Sequence, residues 1–181
     1  MPAVASPPML IVSGPPGAGK TTIARRMAEA SPVPAVHLHT DNFFEAIRSG
    51  FIAPWKPTAA GQNTTISRVI VAAAAAYALG GFRVLIDGVV GPWFLDIYRA
   101  EALRIGVALD YVVLRPALEI AIVRARDRHV GPLADYPPRI FEGFADLGAL
   151  DGHAIDNSAM TETEVIGQIE AGLATGRFRV A

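Results

Sequence analysis

The run Gly14-Pro15-Pro16-Gly17-Ala18-Gly19-Lys20-Thr21 satisfies every position of the pattern G-x-x-x-x-G-K-[ST]. Few folds accommodate such a run. Its glycines must let successive backbone N–H groups converge on phosphate oxygens, so a strand has to deliver the chain and a helix has to receive it. Both flanks meet that demand. Met9 to Ser13 is a short apolar run of the kind found in central parallel strands, and Lys20 to Ala30 contains no Gly or Pro and stops before Pro32. In this setting Gly14, Pro15, Pro16, Gly17, Ala18, Gly19, Lys20, Thr21 and Thr22 form a phosphate-binding segment. Lys20 is placed to reach β- and γ-phosphates, and the Thr21 hydroxyl to reach Mg²⁺. A plain glycine turn with an exposed Lys20 is the bland alternative, and the flanking strand and helix argue against it.

Strand and helix patterns alternate along the rest of the chain. Ala35 to His39 reads as a second strand, Phe43 to Arg48 as a short helix and Gln62 to Leu79 as a long one, with Ile66, Ile70, Ala73 and Tyr77 on its apolar stripe. Gly80 and Gly81 stop that helix. Phe82 to Asp87, Ala108 to Leu114 and His153 to Asp156 read as further strands. Helices are expected over Trp93 to Ile105, from Pro116 to about Arg128, over Arg139 to Leu147, and over Thr161 to Ala174, where Thr161 and Glu164 have capping-box spacing. This alternation predicts an α/β fold: a five-stranded parallel sheet with helices on both faces and ligands beyond the C-terminal strand ends. The glycine loop, Asp41 and Asp87 all fall at such ends.

The 181 residues suit one domain, 1–181, and at 51% hydrophobic they can build a sizeable core. Sixteen basic and 17 acidic residues leave a net charge of −1, with no footprint for nucleic acid or an anionic membrane. The absence of cysteine excludes disulfides, zinc-thiolate sites and a thiol nucleophile, and is compatible with a cytoplasmic protein. The longest apolar stretch, Val69 to Phe82, contains two glycines and is bounded by Arg68 and Arg83, so it reads as a buried helix and not a membrane span. No feature of the sequence sets an oligomeric state.

The loop, the size and the layout resemble the small P-loop kinases, a superfamily that includes adenylate, shikimate, gluconate and chloramphenicol kinases. The resemblance extends over nearly the whole chain. Its wording at His39 to Phe44, Asp87 to Trp93 and Phe141 to Asp156 is similar to bacterial AAA-family ATPase-like small kinases. It implies a three-layer P-loop NTPase fold, ATP and Mg²⁺ as cofactors, and a small lid at about 127–139, where Gly131, Pro132, Pro137 and Pro138 interrupt the chain. It further implies catalytic roles for Lys20, Asp41 and Arg128, with Asp41 facing an acceptor hydroxyl. Arg124 would stack on adenine and Arg128 would contact phosphate. Asp156 would lie near adenine, and Asp87, at a Walker B-like strand end, would share Mg²⁺ with Thr21. Each has a bland counterpart. Asp41 could cap the helix after it, the arginines could complement their own helix dipole, and Asp87 could be a solvated strand end.

His37 and His39 share one face of the second strand, where packing or acceptor contact is expected in preference to metal binding. Trp55 and Trp93 could wall an acceptor pocket or belong to the core. Gln62, Asn63, Thr64 and Thr65 could contact substrate or cap the long helix. The expected activity is phosphoryl transfer from ATP to a hydroxyl of a small molecule. The alternative is an ATP-binding or ATP-hydrolysing switch module without such an acceptor. No N-K-x-D element is present, and Gly88 follows Asp87 where motor ATPases carry an acidic pair. Only Arg48 and Lys56 lend positive charge between Asp41 and Gln62, which favours a neutral or weakly charged acceptor.

Overall fold

In a computed structural model, residues 7–126 and 138–181 are described. In chain order the elements are β1 (Met9–Ser13), α1 (Lys20–Glu29), β2 (Ala35–His39), α2 (Thr40–Glu45), a 3₁₀ turn (Pro57–Ala59), α3 (Ala60–Leu79), β3 (Arg83–Asp87), α4 (Pro92–Ile105), β4 (Leu109–Leu114), α5 (Leu118–Arg126), α6 (Pro138–Glu142), a second 3₁₀ segment (Gly148–His153), β5 (Ala154–Ile155) and α7 (Glu162–Ala174). The five strands are parallel and ordered β2-β3-β1-β4-β5. The chain is α/β, as the alternating pattern predicts.

The strands read as continuous apolar runs because both faces of the sheet are covered. Met9 and Ile11 of β1 point to one side, where they pack with Ile66 and Ile70 of α3 and Leu95 and Tyr98 of α4. Leu10 and Val12 point to the other, against Ile23 and Met27 of α1 and Val165 and Ile169 of α7. Each fully buried Leu or Ile contributes about 1.5–3 kcal/mol of transfer free energy, so β1 anchors both helix layers.

Several elements differ from the sequence expectation for identifiable reasons. The buried line of α3 runs Ile66, Ile70, Ala74, Ala78, and Tyr77 lies outside it, edge-on to Phe82. Alanines allow close approach of α3 to the sheet, and an Ala-rich helix gives little contrast for locating its buried face. Helix α2 begins at Thr40, with His39 at the N-cap position and no side-chain cap bond, so Asp41 lies within the first turn and is not the cap. Helix α6 ends at Glu142, where the i−4 bond of Gly143 gives way to i−3 turn bonds from Phe144 and Ala145, and not at Leu147. At the other end the capping box holds: Thr161 accepts from the Glu164 N–H, and the Glu164 carboxylate accepts from the Thr161 N–H at 2.7 Å.

Because β5 is only two residues long and pairs at Val113 and Leu114, the rest of that β4 edge needs another cover. The segment 178–181 supplies it, with antiparallel bonds to Leu109 and Tyr111 and an Arg179 Nε to Asp110 Oδ1 contact at 2.9 Å. The expected lid, about 127–139, lies almost entirely outside the described residues, and Arg128 with it. Among the described residues no helix is long and apolar enough to cross a membrane.

Candidate active site at the C-terminal edge of the sheet

The glycine loop leaves β1 at Ser13, and three of its glycines adopt left-handed backbone angles: Gly14 (φ 139°), Gly17 (φ 76°) and Gly19 (φ 90°). Two also lie against other backbones. A Cβ at position 14 would lie 2.2 Å from the Leu114 carbonyl, and one at position 17 would lie 2.1 Å from the Ala121 carbonyl of α5. The loop is therefore clamped between β4 and α5 in a shape that needs glycine. Gly19 caps α1, so the helix begins with Lys20 and its first N–H groups open toward the loop. Pro15 accepts through its carbonyl from the Ala18 N–H at 3.2 Å and from Lys20 Nζ at 2.9 Å. Behind the loop, the buried side chain of Asn157 donates Nδ2 to the Ala18 carbonyl at 2.9 Å.

Asp87, fully buried at the end of β3, is the hub of the site. The Thr21 hydroxyl donates to its Oδ2 at 2.6 Å. His37 Nε2 meets Oδ1 at 2.5 Å, and His39 Nδ1 lies 3.0 Å from Oδ1 and 3.1 Å from Oδ2. An ionised carboxylate only accepts, so each imidazole carries a proton on the nitrogen facing it. Burial alone would raise the Asp87 pKa; the bonds from both histidines, the His39 charge and the Thr21 bond outweigh it and hold this carboxyl far below the usual range. The hydrogen bond to Asp87 raises His39 above its ordinary value.

His39 also faces a second carboxylate, with Nε2 3.6 Å from Asp41 Oδ2. Burial pushes Asp41 above its ordinary value, while the His39 and Lys20 charges oppose that rise. Gly88 makes the juxtaposition possible. A Cβ there would lie 1.8 Å from Thr40 Oγ1, so the first turn of α2 rests directly on the chain leaving β3. The continuation of that chain is pinned at the Val90 carbonyl, which accepts from Ser13 Oγ at 2.7 Å and from Tyr111 Oη at 2.8 Å.

Next to this cluster is a cavity of about 280 Å³ whose lining includes Asp41, Phe44, Trp55, Asn63, Trp93 and Arg139. Gly91 and Gly143 clear the space for the Trp93 indole, which also packs on Phe144 at 5.8 Å between ring centroids. Gln62 clamps both backbone groups of Ile52, and Asn63 Nδ2 donates to the Pro54 carbonyl at 2.7 Å. The first turns of α3 thus fix the loop that carries Trp55.

Two further expected site residues, Arg124 and Asp156, lie on α5 and just after β5. Arg124 Nη2 donates to the Ser158 carbonyl at 3.3 Å, tying α5 to the segment after β5. Asp156 is exposed, and its Oδ1 accepts from the Ser158 N–H and hydroxyl. Its neighbour Asn157 is the residue that touches the loop. Sequence reasoning had not singled out Asn157, nor Arg139, nor the two histidines as partners of Asp87. The period-two spacing of His37 and His39 was the available signal for the pair.

The donor set suits the expected groups. The two oxygen-bearing side chains of Thr21 and Asp87 stand together beside the phosphate loop, and hard oxygen ligands are what Mg²⁺ selects. The glycine cradle and the start of α1 offer N–H groups to phosphate oxygens.

Residues 9–132 match the AAA domain family AAA_33, and the chain belongs to it. No curated protein matches the chain. Among solved structures, a tunicamycin resistance protein from Deinococcus radiodurans superposes with a TM-score of 0.68 at 16% identity, covering 97% of this chain and 99% of that one. A gluconokinase from Sinorhizobium meliloti 1021 gives 0.63 at 23% identity, covering 95% and 94%. An APS kinase from Mycobacterium tuberculosis, in complex with AMPPNP and APS, gives 0.64 at 15% identity, covering 94% and 99%. The fold is that of the small P-loop kinases.

Proposed function

We propose that this protein, as one domain over residues 1–181, transfers the γ-phosphoryl group of ATP to a hydroxyl of a small molecule. The observation that carries the reading is the continuous side-chain line from Thr21 at the phosphate loop, through Asp87 and His39, to Asp41 in the lining of the cavity. A nucleotide-driven switch has no need of a cavity lined with aromatic side chains beside its phosphate loop. The gluconokinase and APS kinase likenesses support the same reading.

In this reading the loop amides and Lys20 hold the β- and γ-phosphates, and Arg124 and the chain around Asp156 border the base. Arg128 would add a phosphate contact. Thr21 and Asp87 would hold Mg²⁺, which neutralises phosphate charge when bound. Asp41 orients the acceptor hydroxyl and takes its proton as the new O–P bond forms and the bond to the β-phosphate oxygen breaks, releasing ADP. A carboxylate raised by burial is a better base than one in water. His39 fixes Asp41 from one side and Asp87 from the other, coupling the acceptor and metal ends of the site.

The test is ATP consumption measured with and without a panel of hydroxyl compounds. Stimulation by an acceptor, with phosphorylated product seen by mass spectrometry, is expected. ATP hydrolysis that no acceptor alters would favour the switch reading.

A further inference from the structure

The Asp87 carboxylate is fully buried, so the donors that meet each of its oxygens decide what it can still accept. A carboxylate oxygen offers about two lone-pair sites. His37 Nε2 meets Oδ1 at 2.5 Å, and His39 Nδ1 meets the same oxygen at 3.0 Å, which fills Oδ1. Oδ2 takes the Thr21 hydroxyl at 2.6 Å and a longer contact of 3.1 Å from His39. The capacity left for a further partner therefore lies on the Thr21 side. Thr21 gives its proton to Oδ2 and keeps both hydroxyl lone pairs, so the two residues present oxygen to the same point.

The two histidines are not equivalent. His39 lies opposite Asp87 in the parallel register, almost equally far from both carboxylate oxygens. It would stay bonded if the carboxylate turned and exchanged them. His37 lies opposite Leu85 and reaches the carboxylate from two residues nearer the N-terminal end of β2, where it bonds to Oδ1. Its contact is the directional one. A ligating carboxylate is aimed by the groups that hold its other oxygen.

We propose that His37 is a positioning residue of the metal site: its Nε2–H locks Oδ1 of Asp87, so that Oδ2 is turned to an ion shared with Thr21. This rests on the assignment of Thr21 and Asp87 to Mg²⁺ in the proposed function. Glutamine at position 37 can supply a donor in place of the imidazole, and leucine cannot. A role in packing alone would rank the two the other way.

Mn²⁺ selects oxygen ligands as Mg²⁺ does and is visible by electron paramagnetic resonance. It is titrated into the full chain bound to a non-hydrolysable ATP analogue, so that no turnover is needed. His37→Leu is expected to weaken Mn²⁺ binding about tenfold or more, and His37→Gln to stay within about threefold of the unaltered protein. Equal affinity in His37→Leu and the unaltered protein, or equal weakening in the two variants, would overturn the proposal. A second measurement needs no variant. In the unaltered protein the imidazole nitrogen NMR spectrum should show a proton on His37 Nε2, and a bare Nε2 would overturn the proposal whatever the variants do. Asp87→Asn, titrated in parallel, separates the two claims. If it binds Mn²⁺ as the unaltered protein does, the metal assignment falls and the role of His37 with it. If it weakens Mn²⁺ while His37→Leu does not, the assignment stands and the role of His37 falls.

Discussion

Thr21 and Asp87 stand 66 positions apart in the chain, yet the Thr21 hydroxyl donates to Asp87 Oδ2 at 2.6 Å. The contact joins the start of α1 to the end of β3, two elements that meet only because β1 and β3 are neighbours in the sheet. A divalent ion held there would draw on both oxygens. Asp87→Asn is therefore expected to raise the Mg²⁺ concentration for half-maximal activity by about tenfold or more. Thr21→Val is expected to act in the same direction. A Mg²⁺ titration of steady-state rates checks this, and an unchanged midpoint in both variants would remove the metal role.

Lys20→Ala removes the one positive side chain of the glycine loop. ATP–Mg²⁺ affinity or turnover is expected to fall at least about tenfold, equivalent to about 1.4 kcal/mol. Calorimetry on the variant decides the matter, since binding at the wild-type level is incompatible with a phosphate-holding lysine.

Asp41→Asn keeps the size and hydrogen-bonding reach of the side chain while losing the base. ATP affinity is expected to stay within about twofold and kcat to drop by about a hundredfold or more. The split between Asp41→Asn, which lowers kcat, and Asp87→Asn, which shifts Mg²⁺ dependence, separates base from metal ligand. A near-normal kcat in the first variant would leave Asp87 as the better candidate base.

His39 sets a pH dependence in the nucleotide-free and metal-free protein. Its folded-state pKa is raised above 6.5, chiefly by its hydrogen bond to Asp87. A raised histidine stabilises the fold fully below its unfolded value, and that contribution fades as pH rises through the folded value. The Asp87 shift has the opposite sense, so its contribution is present above the ordinary carboxylate range and is lost as pH falls. NMR titration should place the His39 midpoint above 6.5, and Asp87→Asn should lower it. Denaturation measured from pH 6 to 9 should show a decline that His39→Gln flattens. An equal slope in both proteins would contradict the linkage.

How far these relationships were legible beforehand depends on their range. The glycine loop, the limits of β1 and β2, the stop at Gly80–Gly81 and the Thr161–Glu164 box depend on neighbours within a few residues, and local pattern carries them. The histidine pair was visible on one face of β2, but its partner was not. The in-register pairing of His39 with Asp87 is a property of two parallel strands joined through a long helix, and nothing local to either strand announces it. Asn63 was hidden differently, inside a polar run that looks like any helix start. Only the burial of its first turn against Pro54 distinguishes it from Thr64 and Thr65.

Asn157 and Asp156 invite a direct comparison. Asn157 braces the Ala18 carbonyl from a buried position, whereas exposed Asp156 accepts from Ser158. Asn157→Ala is expected to cost about 1 kcal/mol of stability and to weaken nucleotide binding by several-fold through a looser loop. Asp156→Ala should change both less. Thermal denaturation and nucleotide titration of the pair check the order, and the reverse order would place the base-side contact at Asp156.

The close approach of Gly17 to α5 has an evolutionary consequence. Position 17 abuts the main chain of that helix, at the Ala121 carbonyl and the Ala125 amide. Contact between two backbones is indifferent to what the helix carries on its outward face. Residues such as Glu119 and Val123 can therefore drift among homologues without moving the phosphate loop, and a lineage can remodel the helix surface to meet a different nucleotide base. The glycine has no such freedom, because any side chain at position 17 must displace the helix axis itself.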